Sequence, residues 1–253
     1  MAFTVADFYD RFMGRYSQPL APPFAERAGV RHGQRALDVG CGPGALTAVL
    51  IEQLGVDHVA AVDPSQPFVD AVTGRFPGLV VRTGAAEQLP YDDDTVDVAL
   101  AQLVVHFMTD PVAGIAEMAR VTRPGGTVAA AVWDLTPGAR GPIALFHTAV
   151  AETDPDWVAG QRRPGGAEGE LGDLFRSAGL PEVTESVLTA EVPLASFEDW
   201  WEPFLLGAGP AGDYVAGLSD EGRVDLEQRA RRLLPEGAFT MRVDAWCVVA
   251  TVG

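Results

Sequence analysis

Short apolar runs alternate with longer amphipathic ones through the first half of this 253-residue chain, and that alternation restricts the fold more than any other feature. Strand patterns fall near Arg35 to Val39, His58 to Val62, Leu79 to Arg82, Val96 to Ala101 and Thr127 to Trp133. Helical patterns near Ala45 to Leu54, Gln66 to Arg75 and Pro111 to Val121 lie between them. Strands separated by helices predict a doubly wound, mostly parallel α/β sheet. Both faces of the strands are apolar, as helices on both sides of the sheet require.

Past Asp134 the pattern loosens. A helical run (Ile143 to Glu152) precedes a Gly/Arg/Pro-rich loop at Arg162 to Gly166, and a helix over Leu171 to Ala178 is followed by Gly179 and Pro181, both terminators. Strand-like segments at Val183 to Val192 and Phe239 to Val252 flank a helical insertion from about Ser196 to Leu234. Trp200, Trp201 and Phe204 in that insertion suit either a lid over a site or an anchor on the core. The expected organisation is an aromatic helical lid over residues 1–34 (Phe8, Tyr9, Phe12, Tyr16), an α/β core over 35–195 and 235–253, and the insertion over 196–234.

Charge removes several function classes. The chain carries 35 acidic and 18 basic side chains, a net charge of −17, and every basic residue is arginine. Without lysine there is no Schiff base, no pyridoxal-phosphate anchor and no Walker A phosphate lysine. Scattered arginines do not make the concentrated basic face that nucleic acids need. The acidic balance favours neutral or cationic small molecules as partners. No apolar stretch approaches the ~20 residues of a membrane helix. Met1 to Asp10 lacks the pattern of a secretory signal, and two isolated cysteines, Cys41 and Cys247, suit a reducing cytoplasm.

The most informative stretch is Ala36-Leu37-Asp38-Val39-Gly40-Cys41-Gly42-Pro43-Gly44, between the first strand and a helix. Its glycines permit positive φ and bring backbone N–H groups close to a ligand at a helix N-terminus. Gly40, Gly42 and Ala45 also satisfy the dinucleotide fingerprint, with Asp63 near the position of its ribose acid. Glycine spacing alone therefore does not choose a cofactor. Asp38, two residues before the first glycine, weighs against a pyrophosphate: at ~4–6 Å and an effective dielectric constant of about 20, the repulsion amounts to several kcal/mol. An ammonium or sulfonium would instead be attracted.

The run Leu37 to Gly44 resembles motif I of the class I S-adenosylmethionine-dependent methyltransferases. The resemblance continues through Ala61-Val62-Asp63-Pro64-Ser65, Gly84-Ala85-Ala86-Glu87-Gln88-Leu89-Pro90-Tyr91, Thr95 to Leu100 and Arg120 to Gly126. It covers roughly residues 35–133 and is nearest the small-molecule enzymes of the ubiquinone/menaquinone-biosynthesis type. It implies a Rossmann-like fold of seven strands, the last antiparallel, with S-adenosylmethionine as cofactor and S-adenosylhomocysteine as product. Asp38, Gly40, Cys41, Gly42 and Gly44 would hold the methionine end, Asp63 the ribose hydroxyls and Pro64 the adenine. A Gly-Asp-Ala triplet in the family reads the adenine edge; here Ala85 replaces its acid, leaving the Ala86 N–H and placing Glu87 as a candidate substitute. One neutral hydrogen bond is worth only ~0.5–1.5 kcal/mol.

Chemistry would then be direct displacement at the sulfonium methyl by an oxygen, nitrogen or carbon nucleophile of a small molecule. His106, after the fourth strand, resembles a histidine that acts with an N-terminal tyrosine as gate and proton acceptor in related enzymes, and Tyr9 and Tyr16 are the candidate tyrosines. The plainer role for His106 is capping the helix that starts near Asp110. Gln102 would touch the methionine moiety, and Arg15 would either fold over the cofactor carboxylate or sit exposed. Asp97 is expected to order a neighbouring loop, Arg123 to Gly126 to end a helix and turn into a strand, and Cys41 to fill space in the loop, although a helix N-terminus would lower its thiol pKa. No metal-ligand spacing occurs. Two rivals remain, an NAD(P)-dependent oxidoreductase and a non-catalytic S-adenosylmethionine-binding protein. The acceptor, the atom methylated and the oligomeric state are open.

Overall fold

The computed structural model describes residues 13–136, 138–207 and 209–253. Helix α1 (Arg15–Arg27) precedes β1 (Ala36–Val39), α2 (Ala45–Leu54), β2 (Val59–Asp63), α3 (Gln66–Arg75), β3 (Val80–Thr83), β4 (Val96–Gln102), α4 (Pro111–Val121) and β5 (Thr122–Trp133). Then come α5 (Pro142–Ala151), α6 (Pro155–Gly160), α7 (Glu170–Ser177), β6 (Val183–Leu194), α8 (Phe197–Leu205), α9 (Gly209–Gly217), α10 (Asp220–Arg232) and β7 (Phe239–Thr251). The strands form one seven-stranded sheet in the order β3-β2-β1-β4-β5-β7-β6. The first five pair in parallel, and β7 runs antiparallel between β5 and β6. This is the doubly wound α/β fold expected from the alternation. Chain order reverses between β1 and β4, and the crevice outside the carboxyl ends of those strands is where such sheets bind ligands.

Helices α2, α3 and α4 occupy the residues their apolar spacing predicts. Asp110 caps α4 by accepting from the Ala113 N–H at 3.0 Å, and Pro111 supplies the first helical position. Asp110 thus performs the capping considered for His106.

The Arg123-Pro124-Gly125-Gly126 run departs from expectation. It is not a turn before β5 but the irregular start of that strand, which follows α4 directly at Thr122. Gly125 takes φ +74° and its N–H reaches the Val252 carbonyl, while Gly126 accepts from the Val252 N–H. A Cβ on Gly126 would lie 2.5 Å from Thr122 and 2.7 Å from the Asp97 carbonyl, so close strand pairing requires glycine there. Asp97 accepts from the Arg35 N–H at 2.6 Å and from Arg123 at 2.5 Å, tying the start of β1 to that of β5. Burial opposes its ionisation, but these two partners hold its carboxyl below the usual range.

Buried side chains form one cluster on each face of the sheet. In the insertion, Trp200, Trp201 and Phe204 are buried, and Phe204 stacks on Phe146 of α5 at 4.7 Å. A fully buried phenylalanine contributes roughly 1.5–3 kcal/mol. These rings therefore seat the insertion on the core. Tyr16, Leu20 and Phe24 do the same for α1. Phe8, Tyr9 and Phe12 lie outside the described residues.

Candidate functional site: an acid-lined cavity at the strand ends

A cavity of about 320 Å³ opens at the carboxyl ends of β1, β2 and β4, near the lower end of the usual volume for small-molecule sites. The loop after β1 forms its floor. Gly40, Gly42 and Gly44 take φ of +70°, +51° and +92°, the left-handed region that favours glycine. Gly40 is further confined, because a Cβ there would meet the Val104 side chain at 2.5 Å. Gly44 lets α3 approach, since its Cβ would meet Phe76 at 2.9 Å.

Two carboxylates dominate the cavity. Asp38 is fully buried and accepts from the Thr47 hydroxyl of α2 at 2.5 Å. Burial, with the Asp63 charge adding to it, pushes the Asp38 pKa up to about 7 against the opposing Thr47 bond. Asp63 accepts from the Ser65 N–H on one oxygen (2.8 Å) and the Gly42 N–H on the other (2.9 Å). Burial raises its pKa too, moderated by these bonds. Each Asp63 oxygen keeps acceptor capacity toward the cavity. The third polar group, Gln102, donates from Nε2 to the Ser17 carbonyl at 3.0 Å, while its Oε1 is buried without a partner.

Among the described residues, no basic side chain lines this cavity. Arg75 reaches the Pro43 carbonyl at 3.2 Å but is not among the lining residues. Two carboxylates and an orphaned carbonyl oxygen match a ligand rich in cationic and hydroxyl donors, and the two carboxylates would repel a linked diphosphate. The residues present fit S-adenosylmethionine, whose ammonium can satisfy Gln102 Oε1 and whose ribose hydroxyls can donate to Asp63.

The structure brings Asp38, Gly40, Cys41, Gly42, Asp63, Pro64 and Gln102 together around the cavity. Gly44, Ala85, Ala86 and Glu87 are not among its lining residues, nor are Arg15, Tyr16 and His106. Glu87 accepts from the Thr109 and Asp110 N–H groups, so its carboxylate is committed beside α4. Arg15 is paired with Asp199 of α8 at 2.8 Å and also donates to the Asp199 carbonyl, which joins α1 to the insertion. Tyr16 is buried, and desolvation raises its phenol pKa. His106 is buried on a short turn after β4, its Nδ1 has no partner, and burial chiefly lowers its pKa to about 4. The Cys41 thiol pKa is raised, not lowered: burial and the nearby Asp38 and Asp63 outweigh the helix N-terminus.

Sequence reasoning missed Ser17, Phe68 and the Leu103–Val104–Phe107 wall of the cavity. Leu103 takes φ +63°, rare for a branched residue, with its N–H on the Ala131 carbonyl at 2.7 Å. Nothing in a Leu-Val-Val run announces that bend.

The methyltransferase-domain family model matches residues 37–130. An uncharacterized methyltransferase of Mycobacterium tuberculosis is 43% identical over 101 residues, 40% of this chain and 40% of that protein. The chain thus covers well under half the length of this relative. A probable S-adenosylmethionine-dependent methyltransferase of Mycolicibacterium smegmatis is 31% identical over 211 residues, 79% of this chain and 77% of that one. The chain belongs to the S-adenosylmethionine-dependent methyltransferases. A putative methyltransferase solved with the Haloferax volcanii Trm112 activator matches this methyltransferase's fold across 100% of this chain and 99% of that one, with TM-score 0.60 and 21% identity. Among the described residues of this methyltransferase, no helix is long and apolar enough to cross a membrane, and no cluster of three or more metal-ligating side chains occurs.

Proposed function

We propose that this chain transfers a methyl group from S-adenosylmethionine to an oxygen, nitrogen or carbon nucleophile of a small molecule in a reducing cytoplasm. The observation that carries the proposal is the acid-lined cavity built on the loop after β1, with no basic side chain among its described lining residues. When bound, the cofactor supplies a sulfonium methyl that is electrophilic enough for direct displacement. The loop amides and Asp38 hold the amino-acid end, Gln102 Oε1 accepts from the ammonium, and Asp63 accepts from the ribose hydroxyls on the lone pairs that Gly42 and Ser65 leave free. Pro64 packs on the adenine, and the Ala86 N–H reads its edge without a partner acid at Ala85. Fixing donor and acceptor in line is worth ~7–11 kcal/mol of barrier.

His106, neutral at pH 7, accepts the proton that the nucleophile releases; its pKa near 4 keeps that contribution toward the lower end of the ~10²–10⁴-fold range of general-base catalysis. Tyr16 positions the lid helix, and α1 with the 196–234 insertion excludes water above the acceptor.

Calorimetry with S-adenosylmethionine, S-adenosylhomocysteine and NAD(P) tests this. Micromolar binding of the sulfur cofactors with none of the dinucleotides is expected. Tighter dinucleotide binding would restore the oxidoreductase alternative. Binding without turnover across a broad metabolite panel would favour a non-catalytic binder.

A further inference from the structure

A threonine hydroxyl that follows a helical turn commonly returns to the carbonyl four residues back. Thr122 and Thr148 do so, donating to the Met118 and Ala144 carbonyls at 2.7 and 2.9 Å. Thr47 does not. The carbonyl four residues before it, that of Pro43, accepts instead from Arg75 at 3.2 Å. The Thr47 hydroxyl leaves its own helix and donates to Asp38 Oδ2, nine residues earlier in the chain, at 2.5 Å.

Thr47 stands in the first turn of α2, whose N-cap, Gly44, has no side chain with which to cap it. Backbone N–H groups of a first turn have no partner within the helix, and the Thr47 N–H joins its hydroxyl in favouring the ionised Asp38. A carboxylate delivered from the end of β1 thus takes the place of a cap and gains the helix dipole. Thr47 is itself fully buried and is not among the residues that line the cavity, whereas Asp38 is. It can therefore act on a bound ligand only through Asp38.

The other groups facing Asp38 oppose its charge. Asp63 on β2 repels it, and Cys41 in the loop is a buried thiol that these two acids keep protonated. Among the described residues, Thr47 supplies every contact that favours the anion.

We propose that Thr47 is a positioning residue for the cofactor: by holding Asp38 Oδ2 it fixes the carboxylate and leaves Oδ1 for the cationic amino-acid end of S-adenosylmethionine. The proposal rests on the methyltransferase assignment and adds to its binding machinery a residue outside the cavity. A hydrogen bond to an ionised group also favours the ionised form, so loss of the hydroxyl moves the pH at which the cofactor binds.

The test is calorimetry of the full chain with S-adenosylhomocysteine between pH 6 and pH 8.5, compared with 5′-methylthioadenosine, which lacks the amino-acid end. Thr47→Val keeps the side-chain shape and removes the donor. It should weaken S-adenosylhomocysteine about tenfold or more at pH 7, the scale of a lost charged hydrogen bond, and move the midpoint of the affinity rise upward by about one pH unit. 5′-Methylthioadenosine should be little affected, and Thr47→Ser should restore the wild-type profile. Thr47→Ala, which suits a helix, provides the same measurement if the valine variant does not fold. The proposal is overturned if a folded variant without the donor keeps the wild-type midpoint, if Thr47→Ser behaves like Thr47→Val, or if 5′-methylthioadenosine loses as much affinity as S-adenosylhomocysteine. Failure of S-adenosylhomocysteine to bind the wild-type chain at any pH is a separate result and defeats the methyltransferase assignment instead.

Discussion

Asp38 and Asp63 stand on neighbouring parallel strands at one edge of the sheet, and the charge of Asp63 adds to burial in raising the proton affinity of Asp38. A bound cation would therefore favour the ionised form of Asp38.

The Asp38 carboxyl titrates at about 7 in the folded chain against an ordinary 3.8. Between those values the folded state binds the extra proton, so its contribution to stability is present below pH 4 and is lost as pH rises to 7. Asp38→Asn is expected to raise the stability of the ligand-free protein at pH 8 by roughly 2–4 kcal/mol and to flatten that slope. Wild-type affinity for S-adenosylmethionine should rise from pH 6 to pH 8 as Asp38 ionises, and the variant should lose affinity throughout. Urea melts and calorimetry across pH check both outcomes.

A Cβ on Gly40 would meet Val104 at 2.5 Å, and the residue sits at φ +70°. Gly40→Ala should cost about 1–3 kcal/mol from overpacking, with a further backbone cost at positive φ. Adding Val104→Ala should recover only the steric part. A double-mutant cycle by chemical denaturation separates the two, because the residues touch and their effects are not additive.

His106 shows the opposite sign. Its folded value near 4 lies below the ordinary 6.5, so the unfolded chain binds the extra proton and stability declines as pH falls from 6.5 toward 4. His106→Gln should remove up to about 3 kcal/mol of that acid sensitivity. If His106 accepts the acceptor's proton, the same variant lowers kcat while S-adenosylhomocysteine affinity is unchanged; full turnover would remove the assigned role.

Arg15 and Asp199 join α1 to α8 through a pair in which each side chain is about one-third exposed. Solvent limits it to about 0.2–1 kcal/mol of stability. If α1 and the insertion act as a lid, Arg15→Met should raise the acceptor KM by more than that small destabilisation explains. Unchanged steady-state kinetics would leave the contact a purely structural link.

Local sequence dictated much of this protein. Apolar periodicity marked all seven strands and the boundaries of α2, α3 and α4, because a strand buried on both faces and a helix buried on one impose their periods directly on the residues. The glycine loop was legible for the same kind of reason, since positive φ narrows the choice to glycine. Two features were not legible. The Arg123–Gly126 segment joined β5 because a partner strand 126 residues later in the chain supplied its hydrogen bonds at Val252. The partners of Arg15 and Glu87, and the burial of His106, depend on which distant surfaces come to rest against them, and pairing between residues 22 and 184 positions apart leaves no periodic trace. Backbone conformation and burial pattern are thus written locally, whereas the partner of each charge, and hence its pKa, is decided only when the tertiary structure excludes water around it.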